Sequence, residues 1–354
     1  MSESGMKQQG SMMAGGEGRL ANPMPLELPS GLVIRERVAL APFTSWLVGG
    51  AADFLAEPRD EQQLREAIAW AQVAKLPITY LSGGTNVLVS DRGVRGLTIL
   101  LRKLAGSKTE IVEGDGASKR LQIECLAGTG KSELLKTFLK NKLEPALFLA
   151  GLPGDVGGGV VMNAGVGEAM RPREFVELTD WVEVLREPTS PVEPSTAHDA
   201  DPLARIAKLA SSFELVRIPA SKLEWSYRHC EGWRPGVLVR VGLSWPFEPV
   251  DDILVQVKQA NHLRLTKQPL DRPSCGSVFR NPPGHKSGQL IERAGLKGFT
   301  IGGAQVSEKH ANFIVNTGEA RASEIDQVIQ HVRRTVLAQA GVELKTEVVY
   351  LGEW

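Results

Sequence analysis

Two glycine-rich segments constrain this chain more than anything else in it. One is Ser82-Gly83-Gly84-Thr85-Asn86, set between Ile78 to Leu81, which reads as a short buried strand, and the apolar run Val87-Leu88-Val89. The other runs from Gly151 to Gly165 (GLPGDVGGGVVMNAG) and is too apolar for a solvated linker. Lacking Cβ, glycine adopts positive φ and lets backbone N–H groups approach anionic oxygens, so both segments suit contact with a phosphate. A tight packing turn explains either one equally well. Two of them in one α/β chain favour the phosphate reading.

The rest of the chain divides around these turns. Ala51 to Pro58 has strand character. From Asp60 the apolar residues Leu64, Ala67, Ile68 and Ala71 recur at helical spacing until Pro77 stops them. A second α/β unit opens near Leu121 with the strand LQIECLAG, continues in a helix from Ser132 through Leu143, and reaches the second glycine segment, read as a sheet-forming element. Arg186 to Ser212 reads as an inserted surface loop with one weakly helical piece from Leu203 to Leu209. In the last third, a helix is expected over Ile253 to Leu265 and a loop over Arg272 to Pro283. Ser323 is placed to cap a helix carrying Ile325, Val328, Ile329, Val332 and Val336, with Gly341 as its stop. A strand from Val342 to Leu351 would turn Glu347 away from the face shared by Leu344 and Val348. The implied organisation is a polar tail at 1–30, units at 31–105 and 106–246 with an insertion at 186–212, and a last unit at 247–354.

With 354 residues, 42% of them hydrophobic, the chain exceeds one typical domain. Its 41 basic and 41 acidic residues cancel, so no global field argues for nucleic acid or an anionic membrane. No apolar run reaches the roughly 20 residues of a spanning helix. Three widely spaced cysteines, Cys125, Cys230 and Cys275, suit a reducing cytoplasm, and no obligate protein partner is implied. The scattered histidines offer no metal-ligand spacing. Gly130-Lys131-Ser132 imitates the end of a phosphate-binding P-loop, but Cys125 stands where that motif needs glycine. No GxGxxG opens a βαβ unit. Tyr227-Arg228 suits capture of a carboxylate or its enolate, with an ordinary salt bridge as the plainer alternative. Ser277 sits in a small-residue turn that leaves its hydroxyl accessible, outside any GxSxG elbow.

In order and spacing these segments resemble the UDP-N-acetylenolpyruvoylglucosamine reductase (UDP-N-acetylmuramate dehydrogenase) family. The resemblance is carried by TSWLVGGAADFLAEP from Thr44, LSGGTNVLVSDRG from Leu81, AGLPGDVGGGVVMNAG from Ala150, and Tyr227-Arg228. It continues in SCGSVFRNP from Ser274, GQLIERAGLKGFTIGGAQVSEKHANFIVNTG from Gly288 and GVELKTEV from Gly341. Ile301 to Asn316 suggests the shorter branch that lacks a tyrosine loop.

The resemblance implies an α/β (α+β) fold of the vanillyl-alcohol-oxidase/PCMH type, in which two subdomains bind FAD and a C-terminal α+β domain takes the substrate. It implies a cytoplasmic enzyme that uses NADPH and non-covalent FAD to reduce UDP-N-acetylglucosamine enolpyruvate. Arg228, Ser277 and Glu347 would be catalytic. Ser82, Gly83, Gly84, Thr85, Asn86, Val87, Gly151, Pro153, Gly154, Gly157, Gly158, Asn163, Ala164 and Gly165 would hold the cofactor. Tyr227, Asn281, Lys297, Gln305 and His310 would meet the UDP-sugar. Leu47 and Val349 depart from the family pattern, each standing where a basic residue is common. The competing readings are an oxygen-using FAD oxidase of the same fold and a nucleotide-binding regulator without chemistry.

Overall fold

The computed structural model describes residues 24, 26–113, 118–166, 171–187 and 201–354. Most of the expected tail lies outside these residues. Its end does not hang free: Leu28 is buried beside Leu32 and Ile34 in the first core, and Met24 packs against it.

Strands β1 (Arg35–Ala39) and β2 (Ala51–Ala56) begin a sheet that β3 (Ile78–Leu81) and β5 (Val94–Leu100) complete in the order β1-β2-β5-β3, while β4 (Val87–Val89) leaves it. The β2, β5 and β3 pairings are parallel. Helix α1 (Glu61–Val73) makes the crossover. Its N-cap Asp60 accepts from the Gln63 N–H at 2.9 Å, and its apolar stripe buries Leu64, Ile68 and Trp70, with Trp70 edge-on to Phe54.

The second unit is a five-stranded antiparallel sheet of β6 (Ser107–Glu113), β7 (Lys119–Leu126), β8 (Thr179–Arg186), β9 (Glu214–Pro219) and β12 (Val237–Pro246), in the order β6-β7-β12-β8-β9. Helices α2 (Lys131–Lys140), α3 (Pro145–Leu149) and α4 (Val156–Val161) share a core with it through Leu134, Phe138, Phe148 and Val160. The second glycine segment is therefore not sheet-forming; its middle is α4. Glycine is a poor helix former, but tertiary contact decides here. A Cβ on Gly157 would lie 2.8 Å from the Ala127 Cβ, and one on Gly159 would lie 2.7 Å from the Phe175 ring.

Residues 188–200 of the expected insertion lie outside the described residues. The helical piece expected over Leu203 to Leu209 is present and longer: α5 (Pro202–Ser212), capped by Asp201, buries Ile206 and Ala210 in the core that holds α1. A short hairpin of β10 (Glu224–Ser226) and β11 (His229–Glu231) follows, turning through Tyr227-Arg228.

Helix α6 (Ile253–Lys267) leads to the last unit, in which α7 (Ser287–Arg293), the small sheet β13 (Thr300–Ile301), β14 (Ala304–Val306) and β15 (Ile314–Asn316), and α8 (Ala322–Ala340) enclose their own core. Gly341 ends α8 with φ of 67°, as expected. The cap differs. Arg321 holds the N-cap position, and the N–H groups of Ala322 and Ser323 are met by the Asp91 carboxylate, both at 2.9 Å, from the first unit. The expected strand from Val342 shrinks to β16 (Val349–Leu351), because the chain before it spends Thr346 on an isolated bridge with Phe279.

Three further contacts fasten the last unit to the first. Strand β16 pairs in parallel with β4, fully buried Trp46 donates to the Ile314 carbonyl at 2.7 Å, and Asn316 donates to the Trp46 carbonyl at 2.9 Å. Among the described residues no helix is long and apolar enough to cross a membrane, no cluster could hold a metal, and all three cysteines are free and buried.

Partial burial acts to raise the Asp91 pKa, but the Ser323 and Ala322 hydrogen bonds and the Arg321 charge outweigh it and hold it below the usual carboxylate value. Its stabilisation is then present above the unfolded-state pKa and lost as pH falls through the lower folded one. Asp91→Ala should cost about 0.5–2 kcal/mol in urea unfolding near neutrality. That difference from wild type should vanish in strong acid.

Candidate active site

The two glycine segments meet. A Cβ on Gly83 would lie 2.7 Å from the Gly154 Cα, so the turns touch backbone to backbone, and the Ser82 hydroxyl donates to Asp155 Oδ2 at 2.9 Å across the join. Gly84, at φ of 64°, has no room for a side chain, since its Cβ would fall 1.9 Å from the Phe43 carbonyl oxygen. The backbone N–H groups of Gly83, Gly84, Thr85 and Asn86 have no acceptor among the described residues. Four successive unpaired donors at a cavity wall are what an anionic ligand would satisfy.

That cavity, of about 2300 Å³, runs from the joined turns past Tyr227-Arg228 and α6 into the last unit. Ser82, Gly83, Gly84, Thr85, Asn86, Val87, Gly151, Pro153, Gly157, Gly158, Ala164 and Gly165 line it, as do Arg228, Ser277, Glu347, Tyr227, Asn281, Lys297 and His310. Gly154, Asn163 and Gln305 do not. Gly154 lies behind the wall, where its positive φ and lack of Cβ admit Thr85. Gln305 faces Thr300 across the β13–β14 pair and bonds its hydroxyl. Asn163 is 1% exposed and spends its amide inside the protein, donating to Glu174 and to the Ser226 carbonyl and accepting from the Val176 N–H. It clamps the hairpin to the second glycine segment.

Arg228 is the second residue of the hairpin turn, with φ of 57°, a conformation costly for a side-chain-bearing residue and typical of functional sites. This turn aims its guanidinium inward. Nε donates to Glu347 Oε1 at 3.0 Å and Nη2 to the Gly165 carbonyl at 3.0 Å, while the Glu174 carboxylate stands 3.7 Å from Nη1. Glu347 is held from two sides: its N–H donates to the Val278 carbonyl at 2.8 Å, and its carbonyl accepts from the Asn86 side chain at 3.0 Å. Burial pushes the Glu347 pKa up, against the opposing pull of Arg228, so the carboxyl stands above its ordinary value. Ser277 precedes Val278, on the segment paired with Glu347, and its half-buried hydroxyl has no partner among the described residues.

The remaining residues divide between the cavity and local structure. Asn281 accepts from the Ser287 N–H that opens α7, and Lys297 pairs with Glu292 at 2.6 Å. His310 accepts from the Asn312 N–H at Nδ1, and burial lowers its pKa. Tyr227 lies against the Arg228 guanidinium, 4.8 Å from ring centre to Cζ. Leu47 is exposed, and Val349 faces the cavity from the start of β16.

Arg264 and Lys131 are among the cavity residues that the sequence does not single out as ligand contacts. Arg264 of α6 donates to the Ala150 carbonyl and fills the space where a Gly151 Cβ would be, 1.1 Å from its Nη1. Lys131, 5% exposed, donates from Nζ to the Pro153 carbonyl at 2.8 Å. The failed P-loop motif was the one signal for Lys131. Residues 129–131 pair by backbone with the second glycine segment, Lys131 N–H to Gly154 and Val156 N–H to Thr129.

A family model described as "UDP-N-acetylenolpyruvoylglucosamine reductase, C-terminal domain" matches residues 268–351, and an "FAD binding domain" model matches residues 52–189. A UDP-N-acetylenolpyruvoylglucosamine reductase of a Synechococcus strain is 37% identical over 92% of this chain and 97% of its own length. One from Moorella thermoacetica is 36% identical over 92% of this chain and 97% of its own. The crystal structure of the Thermus caldophilus UDP-N-acetylenolpyruvylglucosamine reductase superposes with a TM-score of 0.65 at 28% identity, covering 90% of this chain and 99% of that one.

Because Asn163 serves the protein's own groups, Asn163→Ala should lower the unfolding free energy by about 1–3 kcal/mol. An unchanged urea midpoint would make it a ligand contact instead.

Proposed function

The chain belongs to the UDP-N-acetylenolpyruvoylglucosamine reductase family, and from that membership we propose that it reduces UDP-N-acetylglucosamine enolpyruvate to UDP-N-acetylmuramate for peptidoglycan synthesis. NADPH is the proposed hydride donor, and the cytoplasm the proposed location. The observation that carries the reading is the Arg228–Glu347 pair at 3.0 Å, in the same cavity as the joined glycine turns and Ser277.

The residues present fit FAD: the turns approach so closely that Cβ atoms are excluded, and four backbone donors await an acceptor. We assign the flavin to residues 31–246 and the sugar nucleotide to residues 247–354 with Tyr227, Asn281, Lys297 and His310. Bound FAD supplies hydride transfer from NADPH to the enolpyruvyl double bond.

Hydride addition at the terminal carbon leaves negative charge on the carbon beside the substrate carboxylate. That charge is tolerable only if it spreads into the carboxylate and meets preorganised partners. Arg228 supplies fixed positive charge, and its hairpin and the Gly165 carbonyl hold it without reorganisation. Glu347, whose pKa burial raises, stands where it can share a proton or hydrogen bond with the developing enolate oxygens. The Ser277 hydroxyl, without an acceptor among the described residues, gives its proton to the carbon, a downhill transfer because the carbanion is far more basic than an alkoxide.

Purified protein should be yellow and release intact FAD on denaturation. Anaerobic NADPH should bleach it and the enolpyruvyl sugar nucleotide restore the colour; bleaching without that recovery, and recovery with oxygen instead, would favour an oxidase. In stopped-flow measurements Ser277→Ala should leave bleaching nearly unchanged and slow the recovery by about 10²–10⁴-fold or more. Equal slowing of both halves would make Ser277 structural.

A further inference from the structure

We propose that Lys131 is a flavin-binding residue whose ammonium, held behind the joined glycine turns, takes an anionic oxygen of the FAD pyrophosphate. The inference rests on the flavoenzyme reading above and adds a residue to it.

Lys131 opens α2 and is 5% exposed, yet it reaches the cavity wall beside Pro153, Asp155 and Gly157. An ammonium has three donors. Among the described residues only the Pro153 carbonyl accepts from this one, and the Phe175 ring lies 5.5 Å away. A buried cation with donors to spare is costly unless an acceptor arrives. The fold makes room for the side chain, since a Cβ on Gly159 would stand 2.8 Å from the Lys131 Cε.

The local charge favours an anion. Asp155 is the titratable group that acts on Lys131, and Asp155 in turn feels Arg102 and the Ser82 hydroxyl. Two cations around one carboxylate leave a surplus positive charge next to the unpaired N–H groups of Gly83 to Asn86. Asp155 is engaged with Ser82 and holds that hydroxyl in the first turn. A pyrophosphate carries the charge that balances this set, and the isoalloxazine ring does not.

Burial lowers the Lys131 pKa to about 8, with Asp155 opposing. The cation therefore predominates at neutral pH and is lost above it, and a ligand that needs the cation binds more weakly as pH rises through that value. Full-length protein freed of flavin should be titrated with FAD and with riboflavin, which has the same ring and no phosphate. At pH 7 Lys131→Met should reduce the ratio of FAD to riboflavin affinity about tenfold or more. In the wild type the same ratio should fall between pH 7.5 and pH 9.5, and in the variant it should stay flat. An unchanged ratio in the variant, with both ligands weakened equally or neither affected, would overturn the proposal and leave Lys131 as a strut for Pro153. If the variant does not fold, the wild-type titration decides alone, and a ratio independent of pH sinks the idea. A wild type that binds no FAD at any pH would instead sink the flavoenzyme reading.

Discussion

The contact on which the site depends is the one between Gly83 and Gly154. Two backbones from different units lie too close for any side chain between them, and the Ser82–Asp155 hydrogen bond closes the join. Glycine is required there by distance as much as by φ. Each turn is in turn pinned from behind. Gly84 is packed under the Phe43 carbonyl, and Pro153 is held by Lys131. The walls of the cavity follow from this contact, because β4 leaves the first turn and α4 leaves the second.

The last unit reaches the site through the first. Asn86 belongs to a glycine turn, yet its amide holds the Glu347 carbonyl, and the backbone that follows pairs β4 with β16. Trp46 and Asp91 extend the same attachment into the core and the α8 N-terminus. Arg228 arrives independently, from a hairpin of the second unit clamped by Asn163. The 3.0 Å pair of Arg228 and Glu347 thus joins two attachments of different origin, so its geometry reports on the whole assembly.

Much of this could be read from the sequence where local chemistry decides the outcome. The stripes of α1 and α8 gave both helices, and Gly341 ended the second as a left-handed cap must. The glycine turns were visible because few other roles suit such sequences. What stayed hidden depended on partners distant in the chain. Val156–Val161 is helical although three glycines sit in it, because Ala127 presses on Gly157 and Phe175 on Gly159. The helical piece read in the insertion gave no sign of its partner: α5 is a packed helix rather than a surface one because α1 offers it an apolar face. A polar residue in a glycine segment looks equally fit for ligand or scaffold, which is why Asn163 was read as a cofactor contact. Lys131 was no easier to read: its motif fails on Cys125, and burial beside Pro153 is not written in any motif.

The placement of Glu347 and β16 has a consequence for biosynthesis. A chain leaves the ribosome from its N-terminus at roughly 5–20 residues per second. Both glycine turns and the Arg228 hairpin emerge first, whereas Glu347 and the strand that seats it come much later in the chain. The joined glycine turns and the hairpin are therefore made on the order of ten seconds before Glu347. The Arg228–Glu347 pair can form only after β16 has paired with β4, so the later-made partner sets when this contact is assembled.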